Sequence, residues 1–502
     1  MKPLFDGAEW DMETIETTWA AIDKIGKEVF GLSYYEPQIE IITSEQMLDS
    51  YSSVAMPVMY NHWSFGKSFI QNQRDYEKGR MGLAYEVVIN TEPTIAYLME
   101  DNTMTMQALV LAHAVCGHGS FFKNNYMFKE WTDAAGIIGY LKFAKEYIES
   151  CEQRYGANAV EELLDACHTI QYYGVDKYKR PPLLSKELEH QRKKEEENYI
   201  QSSFNELWKN TVPTKVKKKE HKYVDWEEEF TNGQYERGFP EENLLYFIEK
   251  KSPALPDWQR EIVRIVRKIS QYFYPQMQTQ LMNEGWASFT HYQIMTEMYN
   301  QGLLTEGSYI EFLASHTAVT MQPDFDSKYY SGINVYALGF AMMMDLKRIC
   351  ENPDEEDIEL FPAIANTNWK VTLPEIIEMY RDETFVLQFL SPKVADKFKL
   401  FILYDHESDD QAYHVQGTHK YEDLLHLREA LSKQYSLTYR MPQIEIVGVD
   451  WSDTRRIALR YTPIDGKKLE TDSSSKVLLW IEFLWGFEAQ LVEDGYTLDD
   501  DF

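Results

Sequence analysis

Two histidines stand five residues apart in the apolar stretch LAHAVCGHGSFF, and a glycine precedes the second of them. Imidazole nitrogens are common ligands of zinc and other divalent metals, so His113 and His118 are candidate ligands. In an ideal α-helix each residue turns by about 100°, which places these two side chains about 140° apart, on different faces. They can bind one ion together only if the helix ends or bulges at Gly117. Otherwise only one is a ligand, or both have a structural role.

The pair differs from the HExxH pattern of zinc peptidases in two ways. In HExxH the histidines are four residues apart and share a helix face, and the glutamate is the general base. Here the spacing is five, and Ala114 occupies the position of that glutamate. A hydrolytic reaction at this pair would need a base from another segment.

A second candidate segment, NEGWASFTHYQ, carries Glu284 among aromatic and small residues on a predicted helix. A carboxylate in such surroundings is either paired or functional, because burial of an unpaired charge is costly. His291 follows seven residues later and faces the same side of the helix. Glu284 could complete a three-ligand site with the histidine pair, leaving one position open for water. The structural alternative is an ion pair with Arg264 or Arg267 of the preceding helix.

A third segment, LLDACHTIQYYG, places Asp165 and His168 three residues apart on one helix face, where they can touch. A carboxylate that holds a histidine tautomer is a usual arrangement beside a metal or around a general base. The alternative is a common surface pair of Asp and His. Two further segments, YNHWSFGKSF and SHTAVTMQP, contain polar groups that are most often structural, namely His62, Trp63, Lys67, His316 and Gln322.

The composition limits the classes of function. The chain has 502 residues and a net charge of −31, which disfavours binding to nucleic acid or to anionic lipid. The N-terminal segment is acidic where a secretory signal needs basic residues, and the longest apolar runs are too short to span a bilayer. The four cysteines show no CxxC spacing. Scattered thiols of this kind are typical of a reducing compartment, so the sequence predicts a cytoplasmic protein.

The pattern along the chain predicts an α+β protein with a large, mostly helical N-terminal domain and a small α+β C-terminal module. Residues 1–175 and 240–394 are predicted to form the helical core, with short strands in the first part. Between them, residues 176–239 read as a charged linker or helical insertion. Residues 395–502 alternate between strand and helix patterns and form the C-terminal module. The segment 104–116 is predicted as a buried helix, and Pro275 is expected to break the helix that contains it.

Several long strings resemble the stage V sporulation protein R (SpoVR) family. They include MPVMYNHWSFGKSF, LAHAVCGHGSFFKNNYMFKEW, LLDACHTIQYYGVDKYKRP and QTQLMNEGWASFTHY, and the resemblance runs through most of the chain. It implies a role in spore cortex formation or in stationary-phase stress. It also implies partners encoded nearby, a PrkA-type serine protein kinase and a protein with a von Willebrand-like domain.

The string EGWA is also similar to the helix that supplies the glutamate ligand in some gluzincin-type metallopeptidases. This similarity implies a zincin-like fold for the helical domain and a site for Zn²⁺ or another divalent transition metal. The implied ligands are His113, His118 and Glu284. The candidate catalytic or proton-carrying residues are His168, Asp165 and His291. Ala114 departs from the metallopeptidase pattern and puts proteolysis in doubt.

Two functions follow from these observations. The first is a metal-dependent enzyme of hydrolase type, acting on a peptide or a peptidoglycan-related amide. The second is a regulator or scaffold without enzymatic activity in a kinase-linked stress pathway. In the second, the charged segment and the C-terminal module bind partners, and the histidines serve structure.

Overall fold

The computed structural model describes residues 2–52, 56–77, 86–178, 240–324, 326–400, 402–405, 413–416, 421–451, 453–493 and 496–497. The predicted charged linker lies outside the described residues from position 179 onward. The described part is mostly helical with small sheets, in agreement with the predicted α+β class. The zincin-like architecture stays a prediction. None of the described helices combines the length and the apolar character that a bilayer crossing requires.

The first half of the chain contains short strands between helices. The helical segments are Met12–Lys24, a π-helical turn Ile25–Val29, Ser44–Ser52, Trp63–Glu77, Met104–Leu111, a π-helix Ala112–His118, Gly119–Asn124, Tyr126–Trp131, Ile137–Tyr155, Ala157–Thr169 and a 3-10 turn Gln171–Tyr173. The strands are β1 (Pro37–Ile42), β2 (Glu86–Ile89) and β3 (Thr94–Met99).

The second half begins with helices and ends with strands. Its helices are Leu244–Lys251, Asp257–Gln278, Gln280–Asn300, Glu306–Val319, Val335–Glu351, Glu355–Leu360, Trp369–Met379, Asp382–Phe389, Pro392–Lys397, Tyr421–Tyr435, Leu437–Arg440 and Thr471–Trp485. Its strands are β4 (Ile402–Asp405), β5 (Tyr413–Gln416), β6 (Gln443–Val449), β7 (Ile457–Thr462), β8 (Ala489–Glu493) and β9 (Tyr496–Thr497).

The N-terminal sheet has the strand order β1-β3-β2. β3 is buried along its whole length. It pairs in parallel with β1 and in antiparallel orientation with β2. β2 is an edge strand of this sheet, and its first residue, Glu86, stands opposite Leu98. The C-terminal sheet has the order β6-β7-β8-β9, and β4 pairs separately with β5.

Two apolar cores hold the described residues together. The first joins the N-terminal helices to the helices Gln280–Asn300 and Val335–Glu351. The second contains β2 and β3, the helix Asp257–Gln278, and the inner faces of β6, β7 and β8. The ring of Trp485, at the end of the helix Thr471–Trp485, stacks on Phe247 with centroids 5.7 Å apart, so the C-terminal part of the chain packs directly on elements from earlier in the chain.

The helix Gln280–Asn300, here called the glutamate helix, packs closely against two neighbours. A Cβ on Gly285 would lie 2.6 Å from the Cα of Gly339, and a Cβ on Gly117 would lie 2.6 Å from the Cα of Ala287. Neither distance is tolerable for a side chain, so glycine at these positions permits the helices to approach. The string EGWA therefore has a packing role in addition to carrying Glu284.

The predicted break at Pro275 is wrong in its position. The helix Asp257–Gln278 continues through Pro275, and the backbone leaves helical geometry at Thr279 (φ −133°, ψ 17°). Proline removes one N–H donor and crowds the preceding turn, but here it lies close to the helix end, where few further bonds depend on it. The Thr279 hydroxyl donates to the Pro275 carbonyl at 2.8 Å, and the glutamate helix starts at the next residue.

Candidate metal centre and the adjoining histidine cluster

The histidine pair lies on a π-helix that continues the buried helix Met104–Leu111. At its end the Gly119 N–H donates to the carbonyl of Ala114, five residues earlier. A π-helix closes such i→i+5 bonds, so residues five apart return to the same side. The rings of His113 and His118 consequently meet edge-on with centroids 4.7 Å apart. Of the alternatives that the spacing leaves open, the helix bulges.

Two carboxylates approach this histidine pair from other elements. Glu86 Oε1 lies 3.2 Å from His113 Nε2 and 4.0 Å from His118 Nε2. Glu284 Oε2 lies 3.5 Å from His118 Nε2 and 3.9 Å from His113 Nε2. Ligands bound at about 2.1 Å to one tetrahedral ion are about 3.4 Å apart, within the range of these distances. Glu86, His113 and His118 form the tightest group, with one ligand atom from each within 4.8 Å of the others.

The hydrogen bonds around the pair direct lone pairs at one another. His118 Nδ1 lies 2.9 Å from Oδ1 of the Asn283 side chain, which only accepts, so Nδ1 carries a proton. Nε2 therefore faces the carboxylates and is the nitrogen that can offer a lone pair to an ion. Among the described residues, Glu86 Oε2 and Glu284 Oε2 are buried without a hydrogen-bond partner. A proton or a cation must stand between these acceptors, and a divalent ion fits the donor set.

The pKa values follow from the same crowding. Burial and the nearby charge of Glu284 raise the pKa of Glu86 well above its usual range. Burial also raises the pKa of Glu284, against the opposing effects of His118 and the Tyr336 hydroxyl. Burial and the neighbouring imidazoles lower the pKa of His113. The histidine is therefore neutral, as a ligand must be, and an ion would replace the proton held by the carboxylates.

A chain of imidazoles extends from His113 away from the carboxylates. His113 Nδ1 lies 2.8 Å from His291 Nδ1, and His291 Nε2 lies 2.7 Å from His316 Nδ1. A neutral imidazole carries one N–H proton. If His113 keeps Nε2 free for an ion, its Nδ1–H donates to His291 Nδ1. The proton of His291 is then on Nε2, which donates to His316 Nδ1. Burial lowers the pKa of His291, and that of His316 to about 4. The structure therefore places His291 behind His113 and outside the group of ligand atoms.

The structural alternative for Glu284 fails. The two arginines that could have paired with it bind another carboxylate, Glu249. Arg264 Nε donates to Glu249 Oε1 at 2.9 Å, and Arg267 Nε donates to Glu249 Oε2 at 2.8 Å. Glu284 consequently remains directed at the histidine pair.

A second group of polar side chains, here called the Asp165 cluster, consists of Tyr60, His62, Ser64, Asp165 and His168. Asp165 and His168 do not hydrogen-bond to each other, because each bonds to a different partner. Asp165 Oδ1 accepts from His62 Nε2 at 3.1 Å, and Tyr60 OH lies 2.6 Å from His168 Nε2. Tyr60 and His62, which precede the helix Trp63–Glu77, are therefore the hydrogen-bond partners of the two residues on the helix Ala157–Thr169.

The two histidines of the Asp165 cluster pack against each other. Their rings meet edge-on with centroids 4.4 Å apart. Burial, and to a smaller extent the neighbouring His62, lower the pKa of His168 to about 4. His168 is therefore neutral at pH 7 and makes its hydrogen bond to the Tyr60 hydroxyl as an uncharged ring.

One cavity of about 720 Å³ joins the metal centre to the Asp165 cluster. Its volume lies within the range of sites for small organic ligands. Apolar side chains form much of its wall, including Phe65, Phe122 and Phe273, and Tyr172, which is 50% exposed, also lines it. Members of both groups line it, namely Glu86, His118, Glu284, Tyr60, Ser64 and His168.

The family models described as "SpoVR like protein" and "SpoVR-like C-terminal domain" match residues 9–440 and 442–495. The chain belongs to the SpoVR family. It is also 50% identical over 495 residues to "Uncharacterized protein YcgB" of Escherichia coli (strain K12), a match that covers 98% of this chain and 94% of the relative. No solved structure matches the chain. The family membership inferred from the sequence strings is confirmed.

Within this SpoVR-family chain, Glu86 is the site residue that the sequence reasoning missed. A signal for it was present, because Glu86 begins the apolar strand EVVI, where an acidic residue is unusual. Cys116, which stands between the two histidines, is not part of the site. Its thiol is buried against Tyr34, and burial raises the pKa of the thiol to about 12.

Proposed function

We propose that this SpoVR-family protein is a metal-dependent hydrolase whose ion is bound by Glu86, His113 and His118. The observation that carries the proposal is that Nε2 of both histidines lies within 4.0 Å of Glu86 Oε1 and of Glu284 Oε2, while one oxygen of each carboxylate is buried without a hydrogen-bond partner. Two histidines and a carboxylate form a common ligand set of catalytic zinc, with a fourth position open. The same set also binds iron, so zinc is the first candidate among the divalent transition metals.

Glu284 takes the role of general base in this proposal, although the similarity of EGWA to gluzincin-type metallopeptidases implies it as a ligand. Its Oε2 lies further from His113 than Glu86 Oε1 does, and it lines the cavity. The bound ion would polarise a carbonyl and acidify water. Burial raises the pKa of Glu284, so its carboxylate is a stronger base than that of an exposed glutamate. It would supply the base that Ala114 cannot.

The proposed substrate is a peptide or a peptidoglycan-related amide, in line with a role in spore cortex formation or stationary-phase stress. The cavity is large enough for such a group. In the cytoplasm, such an enzyme would act on precursors or on cytoplasmic proteins. The PrkA-type kinase and the von Willebrand-like protein remain proposed partners.

Metal analysis of the full chain with isosteric variants tests the site. We expect about one zinc or iron ion per chain after reconstitution, as for a single closed ligand set. Glu86→Gln should lose the ion, whereas Glu284→Gln should keep it and lose hydrolysis of a peptide library followed by mass spectrometry. His426→Ala, a change at an exposed histidine outside the site, is the control and should keep both.

Three outcomes would contradict the proposal. Less than a tenth of an ion per wild-type chain, about the level of adventitious metal, would reject the metal centre and favour the non-enzymatic regulator. Loss of the ion in Glu284→Gln would make Glu284 a ligand and not the base. Metal binding without hydrolysis of any peptide or peptidoglycan fragment would reject the hydrolase.

A further inference from the structure

Ser64, which lines the cavity, stands in a hydrogen-bonded series with His62 and Asp165. His62 Nδ1 lies 2.7 Å from Ser64 Oγ, and His62 Nε2 lies 3.1 Å from Asp165 Oδ1. The Ser64 backbone N–H also points at His62 Nδ1, at 3.3 Å. Because this N–H can only donate, Nδ1 is the acceptor, and the ring proton is on Nε2, where it donates to Asp165. This tautomer is the one in which an imidazole can remove a serine proton.

The surroundings hold the histidine and the carboxylate in place. The His62 side chain is 2% exposed, and the edge of the His168 ring packs against it. The Trp63 indole N–H donates to the same Asp165 oxygen at 2.7 Å, which fixes the carboxylate. A serine nucleophile needs a general base, and that base is commonly a histidine oriented by a fixed carboxylate.

Ser64 also occupies a favourable position for acyl chemistry. It is the second residue of the helix Trp63–Glu77 and lines the 720 Å³ cavity. The start of a helix carries a partial positive charge, which stabilises negative charge that develops on a nearby oxygen. Ser64 therefore presents its hydroxyl to the cavity beside this positive end, with its base directly behind it.

We propose that Ser64 is a nucleophile for acyl transfer, with His62 as its base and Asp165 as the positioning residue, on an ester or amide substrate. Ser64 Oγ bonds to the acyl carbon while its proton passes to His62 Nδ1. The bond from the acyl carbon to the leaving oxygen or nitrogen breaks, and His62 returns that proton to the leaving group. Water then attacks the acyl serine and gives a proton to His62, and the departing Ser64 Oγ takes it up. No metal takes part, so this activity goes beyond the proposed metal-dependent hydrolysis.

The cavity contains a matched control serine. Ser270 lines the same cavity, but its hydroxyl donates to the Val266 carbonyl at 2.8 Å, within its own helix. It lacks an imidazole partner in the described contacts. A reagent for nucleophilic serines that enters the cavity should therefore react with Ser64 and not with Ser270.

The test is labelling of the full chain with an alkyl fluorophosphonate, with the modified peptide found by mass spectrometry. We expect one label on Ser64, none in Ser64→Ala, and unchanged labelling in Ser270→Ala. Asp165→Asn keeps the size of the side chain and should slow labelling by at least about tenfold, because the imidazole loses its orienting charge. Metal-free and metal-loaded protein should label at equal rates, which separates this proposal from the metal centre.

Labelling of folded wild-type protein at another serine, or no labelling, would overturn the proposal without any variant. A normal rate in Asp165→Asn would also overturn it, because the contacts would then serve only to start the helix. Near-ultraviolet circular dichroism of each variant confirms that its fold is retained.

Discussion

The two histidine groups on the cavity wall differ in how their protons are distributed. In the Asp165 cluster, each hydrogen bond joins a donor to an acceptor, as where the His62 ring meets the Asp165 carboxylate. In the metal centre, acceptors face acceptors, as where His118 Nε2 points at Glu284. The first group is complete with protons alone, whereas the second leaves a place between its acceptors for either a proton or a cation. Similar residue types therefore indicate different chemistry once their donors and acceptors are assigned.

The largest expected effect separates the two groups by metal affinity. His113→Ala should weaken zinc binding by about 1,000-fold or more, above the 10–100-fold typical of a lost outer hydrogen bond. His62→Ala removes an equally buried histidine and should leave the affinity within about twofold, since no metal ligand contacts it. Competition against a chromogenic chelator measures both. Equal losses in the two variants would mean that general destabilisation, not ligation, explains the result.

The next effect is the pH dependence of stability in metal-free protein. Unfolded His168 takes up a proton below about pH 6.5, whereas the folded residue stays neutral down to about pH 4. The unfolded state therefore binds more protons in this window, and stability is lost as the pH falls through it. The contribution is up to about 3 kcal/mol.

Urea unfolding at pH 7 and pH 4.5 measures this effect. The free energy of unfolding should fall less in His168→Asn than in wild type. His426→Asn, at an exposed histidine, should keep the full wild-type difference. A His168→Asn protein with the wild-type pH dependence would show that His168 is not the group that titrates.

A smaller effect concerns the packing that forms the π-helix. Gly117→Ala places a Cβ 2.6 Å from the Cα of Ala287 and should lower the free energy of unfolding by about 1–3 kcal/mol. Gly139→Ala is the matched control, because a Cβ there meets nothing within 4 Å on an exposed helix face. That change should stabilise the protein by about 0.5–1 kcal/mol. Urea unfolding distinguishes them, and equal shifts would contradict the packing argument.

The smallest effect tests the hydrogen bond that orients His118. Asn283→Ala should weaken zinc binding by about tenfold, at the low end of such losses, because water in the cavity can replace the amide. Gln280→Ala removes an amide that lines the same cavity from the same helix and should change the affinity less than twofold, about the error of such a titration. An unchanged affinity in Asn283→Ala would show that His118 does not need this tautomer.

The sequence predicted the class of fold and much of the helix and strand pattern, because hydrophobic periodicity is a local property. It predicted the buried helix that begins at Met104 and the helix that carries Glu284. The prediction that the helix breaks at Pro275 was wrong in position, because the effect of a proline depends on how near the helix end lies. The position of that end is a result of packing. The partners of Asp165 could not be read from spacing, since His62 lies more than 100 residues away.

By itself, the sequence determined that His113, His118 and Glu284 are candidate metal ligands and that an i, i+5 pair needs an irregular helix. Only the tertiary structure decided that the helix becomes π-helical, because the close contact of Gly117 with Ala287 is a long-range one. It also brought Glu86 from an edge strand to the histidines and directed Arg264 to Glu249 instead of Glu284. Ligand sets converge in space, and the local propensities that a sequence encodes do not specify which distant carboxylate arrives.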